Sequence, residues 1–228
     1  KFITFQILNF ADRVRNNMCG IVGFINFDGE PVSPVLLKNA TDKLIHRGPD
    51  GEGQWIEGNV GIGHRRLSII DLSSAGQQPM ISKDLRYVLS YNGEIYNFRE
   101  LRTELESKGV CFSSQTDSEV VLNAFSFWGK EALLKFNGMF AFVVYDRKKK
   151  ILFMARDRYG VKPVYYAVQG NHFSFGSEQK AITAAKNFEQ ALNKKALIEY
   201  FTFQNIFTDQ TLLEDIKILP PGHFIEVN

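Results

Sequence analysis

The chain reads as an α+β protein in which sheet packs on sheet with helices outside. Three observations predict this. Residues 139–145 and 151–155 are apolar at nearly every position and are joined by a charged turn. Strands without alternation are buried on both faces, so this hairpin needs a covering layer on either side. Stacked sheets under helices supply both layers. Helical spacing of apolar residues recurs before and between the strands, and Pro and Gly fall mainly between elements. With no internal repeat or long linker, residues from about 19 to 228 form a single domain. Periodicity supports antiparallel pairs and leaves the number of layers open.

Residues 19–27 are the first strand, closed by Asp28-Gly29-Glu30-Pro31. Ser33 is a helix N-cap with Pro34 behind it, and Leu36, Leu37, Ala40, Leu44 and Ile45 follow at helical spacing. Strands are expected over 60–70 and 86–91. A helix over 98–108 ends at Gly109 as its C′ residue. Another covers 117–128, with Asp117 or Ser118 near its start and Val120, Val121, Ala124 and Phe125 inward. Cys111, in a short apolar segment, is expected in the core.

Composition narrows the function classes. The formal charge of +2 comes from interspersed residues of both signs, and the run Lys148-Lys149-Lys150 fits a solvated turn, so nucleic acid is not an expected partner. Two cysteines in unrelated surroundings make no disulfide framework, and a reducing cytoplasm is the expected location. No apolar run approaches the roughly 20 residues of a membrane span. His46, His64, His172 and His223 have no metal-ligand spacing, so no metal site is expected. There is no Walker run and no dinucleotide fingerprint.

Cys19 is the candidate nucleophile. It opens the run Cys-Gly-Ile-Val-Gly-Phe, and its nearest base would be its own α-amine. A free α-amine has a pKa of about 7.7–8 and can take a thiol proton near neutrality. Inside a peptide bond the same nitrogen is an amide and cannot. Three readings of residues 1–18 follow: translation starts at Met18, which is then trimmed; the segment is a removed pro-peptide; or it is retained on an inactive protein. Mixed apolar and charged residues make it a poor secretory signal, and its absence from the mature protein is the expectation.

Four further segments accompany Cys19: His46-Arg47-Gly48-Pro49-Asp50, Arg66-Leu67-Ser68-Ile69-Ile70-Asp71, Tyr91-Asn92-Gly93-Glu94-Ile95-Tyr96-Asn97 and Thr116-Asp117-Ser118-Glu119. Together they closely resemble the class II glutamine amidotransferase domain of glutamine-hydrolysing asparagine synthetases. The resemblance extends through Arg156-Asp157-Arg158-Tyr159-Gly160-Val161-Lys162-Pro163 and Leu219-Pro220-Pro221-Gly222-His223. It implies a four-layer αββα sandwich of two mainly antiparallel sheets, of the N-terminal-nucleophile hydrolase type, with Cys19 as nucleophile.

The resemblance also implies roles that the residue types can perform. Asn92 and Gly93 would form the oxyanion hole, with a side-chain NH₂ and a backbone N–H aimed at the developing charge. By local pattern alone the same pair is a strong hairpin-turn signal. Arg66 would grip the glutamine α-carboxylate, the backbone around Leu67, Ile69 and Ile70 would line that side, and Glu94 and Asp117 would meet the α-ammonium. For Asp117 a plain N-cap is the competing reading; for Arg66 it is a surface position. His46 is expected to shape its loop more than to move protons.

Those synthetases activate aspartate with ATP in a second domain carrying a Ser-Gly-Gly-x-Asp-Ser loop, which does not occur here. The implied partners are L-glutamine and that synthetase domain, with a homodimer among the assemblies allowed. No cofactor is expected for the glutaminase reaction, and ATP and Mg only for the synthetase domain. The rival readings are an amidotransferase of glucosamine-6-phosphate synthase or amidophosphoribosyltransferase type, and a non-catalytic domain with Cys19 blocked by residues 1–18.

Overall fold

A computed structural model describes residues 18–67, 76–185 and 188–228. In chain order the elements are β1 (Gly20–Asn26), α1 (Pro34–Asp42), β2 (Gly51–Glu57), β3 (Val60–Arg66), the two-residue β4 (Met80–Ile81) and β5 (Tyr87–Ile95). Helices α2 (Phe98–Ser107), α3 (Asp117–Trp128) and the short α4 (Ala132–Lys135) follow, then strands β6 (Gly138–Asp146), β7 (Ile151–Arg156), β8 (Tyr165–Gln169) and β9 (His172–Gly176). The chain continues through α5 (Gln179–Ile182), α6 (Lys194–Phe203), β10 (Ile216–Ile218) and β11 (Phe224–Val227).

The strands form two antiparallel sheets, one of order β10-β8-β9-β1-β3-β2 and one of order β11-β7-β6-β5-β4. The apolar hairpin lies inside the second sheet, and its pleat explains its composition. Phe140, Phe142 and Val144 of β6 and Phe153 of β7 face Leu101, Leu105, Val121 and Phe125 of α2 and α3. The intervening Ala141, Val143 and Tyr145, with Leu152 and Met154, face Ile21, Ile62 and Phe175 of the first sheet. On the far side of the first sheet, Val22 and Phe24 pack under Leu37, Ala40 and Leu44 of the α1 segment and Ala181 of α5. Three apolar layers therefore separate four layers of structure, αββα. Because a strand residue points to one face and its neighbour to the other, both faces of the hairpin had to be apolar.

Local signals act largely as read. Ser33 caps α1, its hydroxyl accepting from Leu36 N–H at 3.4 Å, with Pro34 first in the helix. Gly109 follows α2 at φ +86°, a left-handed value that glycine adopts without strain. Three expectations need correction. The strand over 86–91 runs on to Ile95, so Asn92 and Gly93 lie within β5 and not in a turn. The cap of α3 is Thr116, whose hydroxyl accepts from Glu119 N–H at 3.2 Å, and Asp117 is the first helical residue. Cys111 is exposed: its neighbours Val110 and Phe112 pack on the α2–α3 core and the extended chain turns the residue between them outward.

Candidate active site

Strand pleating brings the site together. In β1, Ile21 and Ile25 face the gap between the sheets, so Cys19, two residues before Ile21, faces the same way. In β3, Val60 and Ile62 face that gap, which assigns His64 and Arg66 to it. The pairing of Gly20 with Arg65 sets Cys19 beside Arg66. In β5, Val88 faces the gap while Leu89, Tyr91 and Ile95 face the helices, so Asn92 and Glu94 project toward Cys19 from the opposite sheet. Five residue positions on three strands converge because their numbers share the right parity.

Cys19 lies at the entrance to β1. Its Sγ receives the Leu67 N–H at 3.4 Å and lies 3.7 Å from the Leu67 carbonyl oxygen. Burial pushes the thiol pKa up; the Leu67 N–H and the guanidinium groups of Arg66 and Arg47 pull it down, and Asp117 pushes it up further. The net shift is upward, so at neutral pH the sulfur carries its proton and needs a base to become a nucleophile. His64 does not serve. It is fully buried, its Nε2 lies 3.1 Å from the Tyr91 carbonyl oxygen, and burial drives its pKa down to about 4.

The strand β5 offers two donors. Asn92 is buried, and its Nδ2 has no hydrogen-bond partner among the described residues. An orphaned buried donor is costly, and such groups mark sites that a ligand completes. The second donor follows from the ladder. Phe140, opposite Gly93, exchanges hydrogen bonds with Asp157 on the side away from β5, so Gly93 N–H points away from β6. Its neighbours on that edge are already taken: Tyr91 N–H donates to Gln78 Oε1 at 2.6 Å and Ile95 N–H to Asp117 Oδ2 at 3.1 Å. Gly93 is glycine for a further reason, since a Cβ there would collide with the Met139 carbonyl oxygen and with Phe140.

Asp117 sits beneath this edge, accepting the Tyr91 hydroxyl at 2.7 Å on the same oxygen, Oδ2. Burial raises its carboxyl pKa, against the hydrogen bonds from Tyr91, Ile95 and Ser118. Glu119 holds the turn before α3 by accepting the N–H and hydroxyl of both Ser113 and Ser114 at 2.6–2.8 Å. Arg66 closes the other side, its guanidinium packed on Gly76, where a Cβ would overlap it and would also lie against Thr116. Glu94 acts electrostatically on Asp117 and on Tyr91. Leu67 touches the sulfur through its backbone. Ile69 and Ile70 lie outside the described residues.

Residues not singled out from the sequence complete the surroundings. Arg47 is buried, donates from Nε to the Cys19 carbonyl at 3.1 Å, and pairs with Glu178 at 3.1 Å. His46 lies 2.8 Å from the same Glu178 oxygen, bracing the turn as expected. Lys162 is buried, with its Nζ 3.0 Å from the Met18 sulfur. The signal that could have found Arg47 and Lys162 is a charged residue just before a turn residue, Arg47 before Gly48-Pro49 and Lys162 before Pro163. Among the described residues no group of His, Cys, Asp and Glu could hold a metal ion, and no helix is long and apolar enough to cross a membrane.

A family profile described as a glutamine amidotransferase domain matches residues 18–228. The chain belongs to this family. Glutamine-hydrolysing asparagine synthetase 1 of Bacillus subtilis is 40% identical over 210 residues, 90% of this chain and 33% of that protein. A putative glutamine-hydrolysing asparagine synthetase of Methanocaldococcus jannaschii is 42% identical over 205 residues, 81% of this chain and 39% of its own. This amidotransferase domain thus spans about a third of the length of the relatives it matches. The glutamine phosphoribosylpyrophosphate amidotransferase structure from B. subtilis superposes with a TM-score of 0.62 at 22% identity, covering 73% of this chain and 43% of that one. That likeness concerns the fold alone, the layered sandwich of two sheets.

Proposed function

We propose that the chain is the glutaminase half of a glutamine-hydrolysing asparagine synthetase, with residues 1–18 absent from the working form. The observation that carries the reading is the convergence of a buried thiol and an orphaned amide donor, Cys19 Sγ and Asn92 Nδ2, in one gap between sheets. Once Cys19 is first in the chain, its α-amine accepts the thiol proton and the thiolate attacks the side-chain amide carbon of L-glutamine. The C–N bond then breaks, ammonia leaves with the proton returned by the α-ammonium, and water hydrolyses the γ-glutamyl thioester to glutamate and free thiol.

Asn92 Nδ2 and Gly93 N–H take the oxyanion hole, which electrostatic stabilisation of the tetrahedral intermediate requires. Arg66 takes the substrate carboxylate by a bidentate pair, with the Leu67, Ile69 and Ile70 backbone beside it. Glu94 and Asp117 take the ammonium. The reaction needs no cofactor. In the parent enzyme the ammonia amidates aspartate in an ATP- and Mg-dependent synthetase domain, the normal partner of this one, in a cytoplasmic protein that forms a homodimer. Identities of 40–42% to asparagine synthetases favour this acceptor over the phosphoribosyl one.

The test is release of glutamate and ammonia from glutamine by the processed chain, with the N-terminal mass read on the same sample. Cys19→Ala is expected to reduce release to background. Retained glutaminase activity in Cys19→Ala, or full activity in protein whose mass still includes Met18, refutes the mechanism.

A further inference from the structure

We propose that Lys162 is a positioning residue for the Cys19 amine, its buried ammonium holding that amine unprotonated so that it serves as base at neutral pH. This rests on the reading that Cys19 is N-terminal in the working form. Lys162 is carried on the loop after β7, and that loop is held rigidly. Asp157, with no exposed surface, accepts N–H groups from Tyr159 and Val161 on one oxygen and from Lys162 and Phe140 on the other, all at 3.0–3.2 Å. Arg156 ties the same loop to the 219–223 segment through the carbonyls of Lys162, Gly160 and Leu219.

This framework delivers an ammonium group to the Met18–Cys19 peptide without giving it a carboxylate partner. Among the described residues its hydrogen-bond partner is the Met18 sulfur, a weak acceptor. Burial and the neighbouring Arg47 guanidinium both oppose its charge, while Cys19, Glu94 and Asp157 favour it. Removal of Met18 takes away that sulfur and leaves the Cys19 nitrogen at the head of the chain, one residue on from the side chain that Nζ contacts.

The titratable and charged groups coupled to Cys19 or to Lys162 are Arg47 from the turn after α1, Arg66 from β3, Tyr91 and Glu94 from β5, Asp117 from α3 and Asp157 from the loop after β7. The carboxylates would stabilise a protonated amine, and the cations oppose it. Arg47 also reaches Cys19, donating to its carbonyl, but its charge is offset by the ion pair with Glu178, and Arg66 packs on Gly76. Lys162, whose hydrogen-bond partner among the described residues is a sulfur and not a carboxylate, is the cation to which we assign the balance. A like charge nearby lowers an amine's pKa, and it also favours the thiolate once the proton has moved.

The experiment measures kcat/KM for glutamine hydrolysis against pH in the processed full chain, whose acid limb reports the free-enzyme base. Lys162→Met is expected to move that limb upward by about one pH unit, and Lys162→Arg to restore it. A lowered plateau with an unmoved limb means a merely structural lysine and overturns the proposal. A variant that does not fold leaves the wild type to decide by pH-dependent labelling of its N-terminal amine: an ordinary pKa of about 7.7–8 overturns the proposal, a lower one supports it. If the wild type does not hydrolyse glutamine at all, the functional reading fails first and this one with it. An active wild type with an unshifted Lys162→Met limb fails this one alone.

Discussion

The turn before α3 and the loop after β7 approach the site from two different elements yet share a plan. Each contains one carboxylate saturated by neighbouring donors and one charged group left facing the gap. Before α3, Glu119 is saturated by Ser113 and Ser114, and Asp117 faces β5. After β7, Asp157 is saturated by four backbone N–H groups, and Lys162 faces Cys19. The difference is in what the facing group retains. Asp117 keeps a hydroxyl and an N–H on one oxygen, whereas the partner of Lys162 among the described residues is a sulfur. Saturated carboxylates anchor backbone, and unsaturated groups are available for chemistry.

The comparison predicts that the anchors govern stability, with Asp157 the larger. Asp157→Ala leaves four N–H groups without an acceptor, those of Phe140 and Lys162 in buried hydrogen bonds, and each buried loss costs about 1–3 kcal/mol. A destabilisation of about 4 kcal/mol or more is expected, read as a fall in the urea midpoint at unchanged m. A loss below about 1 kcal/mol would mean that water or other groups take over these donors, and the division between anchor and tool would not hold for this loop.

Glu119→Gln is the intermediate case, since one carbonyl oxygen remains to accept and the new NH₂ opposes two donors. About 2 kcal/mol is expected at neutral pH. The sign with pH is fixed by the direction of its shift. Burial raises the Glu119 pKa, but the Ser114 and Ser113 hydrogen bonds outweigh it and the net value is lowered. Its stabilisation is therefore present above the unfolded value of about 4.3 and is lost as pH falls through the folded one. The gap between wild type and Glu119→Gln should be full at pH 7 and shrink on acidification below about pH 4.

Much of this was legible beforehand, and the misses have one physical origin. The apolar hairpin, the Ser33 cap and the Gly109 terminus depend on local pattern, and they read correctly. Asn92-Gly93 is locally a turn signal; what overrides it is the nine-residue pairing of β5 with β6, in which Asn92 meets Ala141 and Gly93 meets Phe140, contacts too distant in sequence for local pattern to show. Thr116, Asp117 and Ser118 are three adjacent cap formers, and only the geometry of the first turn chooses among them. Arg47 and Lys162 carry no periodic signature, because their importance comes from reaching Cys19 across the fold. The short strands β8–β11 have no readable signature, since runs of three to five residues give periodicity too little length.

Asp117→Asn should have the smallest effect on stability and the opposite sign with pH. The amide oxygen can still accept the Tyr91 hydroxyl and the Ile95 N–H, so a change within about 1 kcal/mol is expected. Burial raises the Asp117 pKa, so its ionisation opposes folding. That penalty is absent below the unfolded value of about 3.9 and sets in as pH rises through the folded value. Relative to the variant, the wild type should thus lose stability between acid and neutral pH, where relative to Glu119→Gln it gains. Binding should show the reverse ranking: loss of one charge-assisted bond to the substrate ammonium, about 1.4 kcal/mol, raises KM for glutamine about tenfold with kcat nearly unchanged. If Asp117→Asn instead destabilised the fold with the same pH sign as Glu119→Gln and left KM alone, Asp117 would be a second anchor, and the ammonium would have to be met by Glu94.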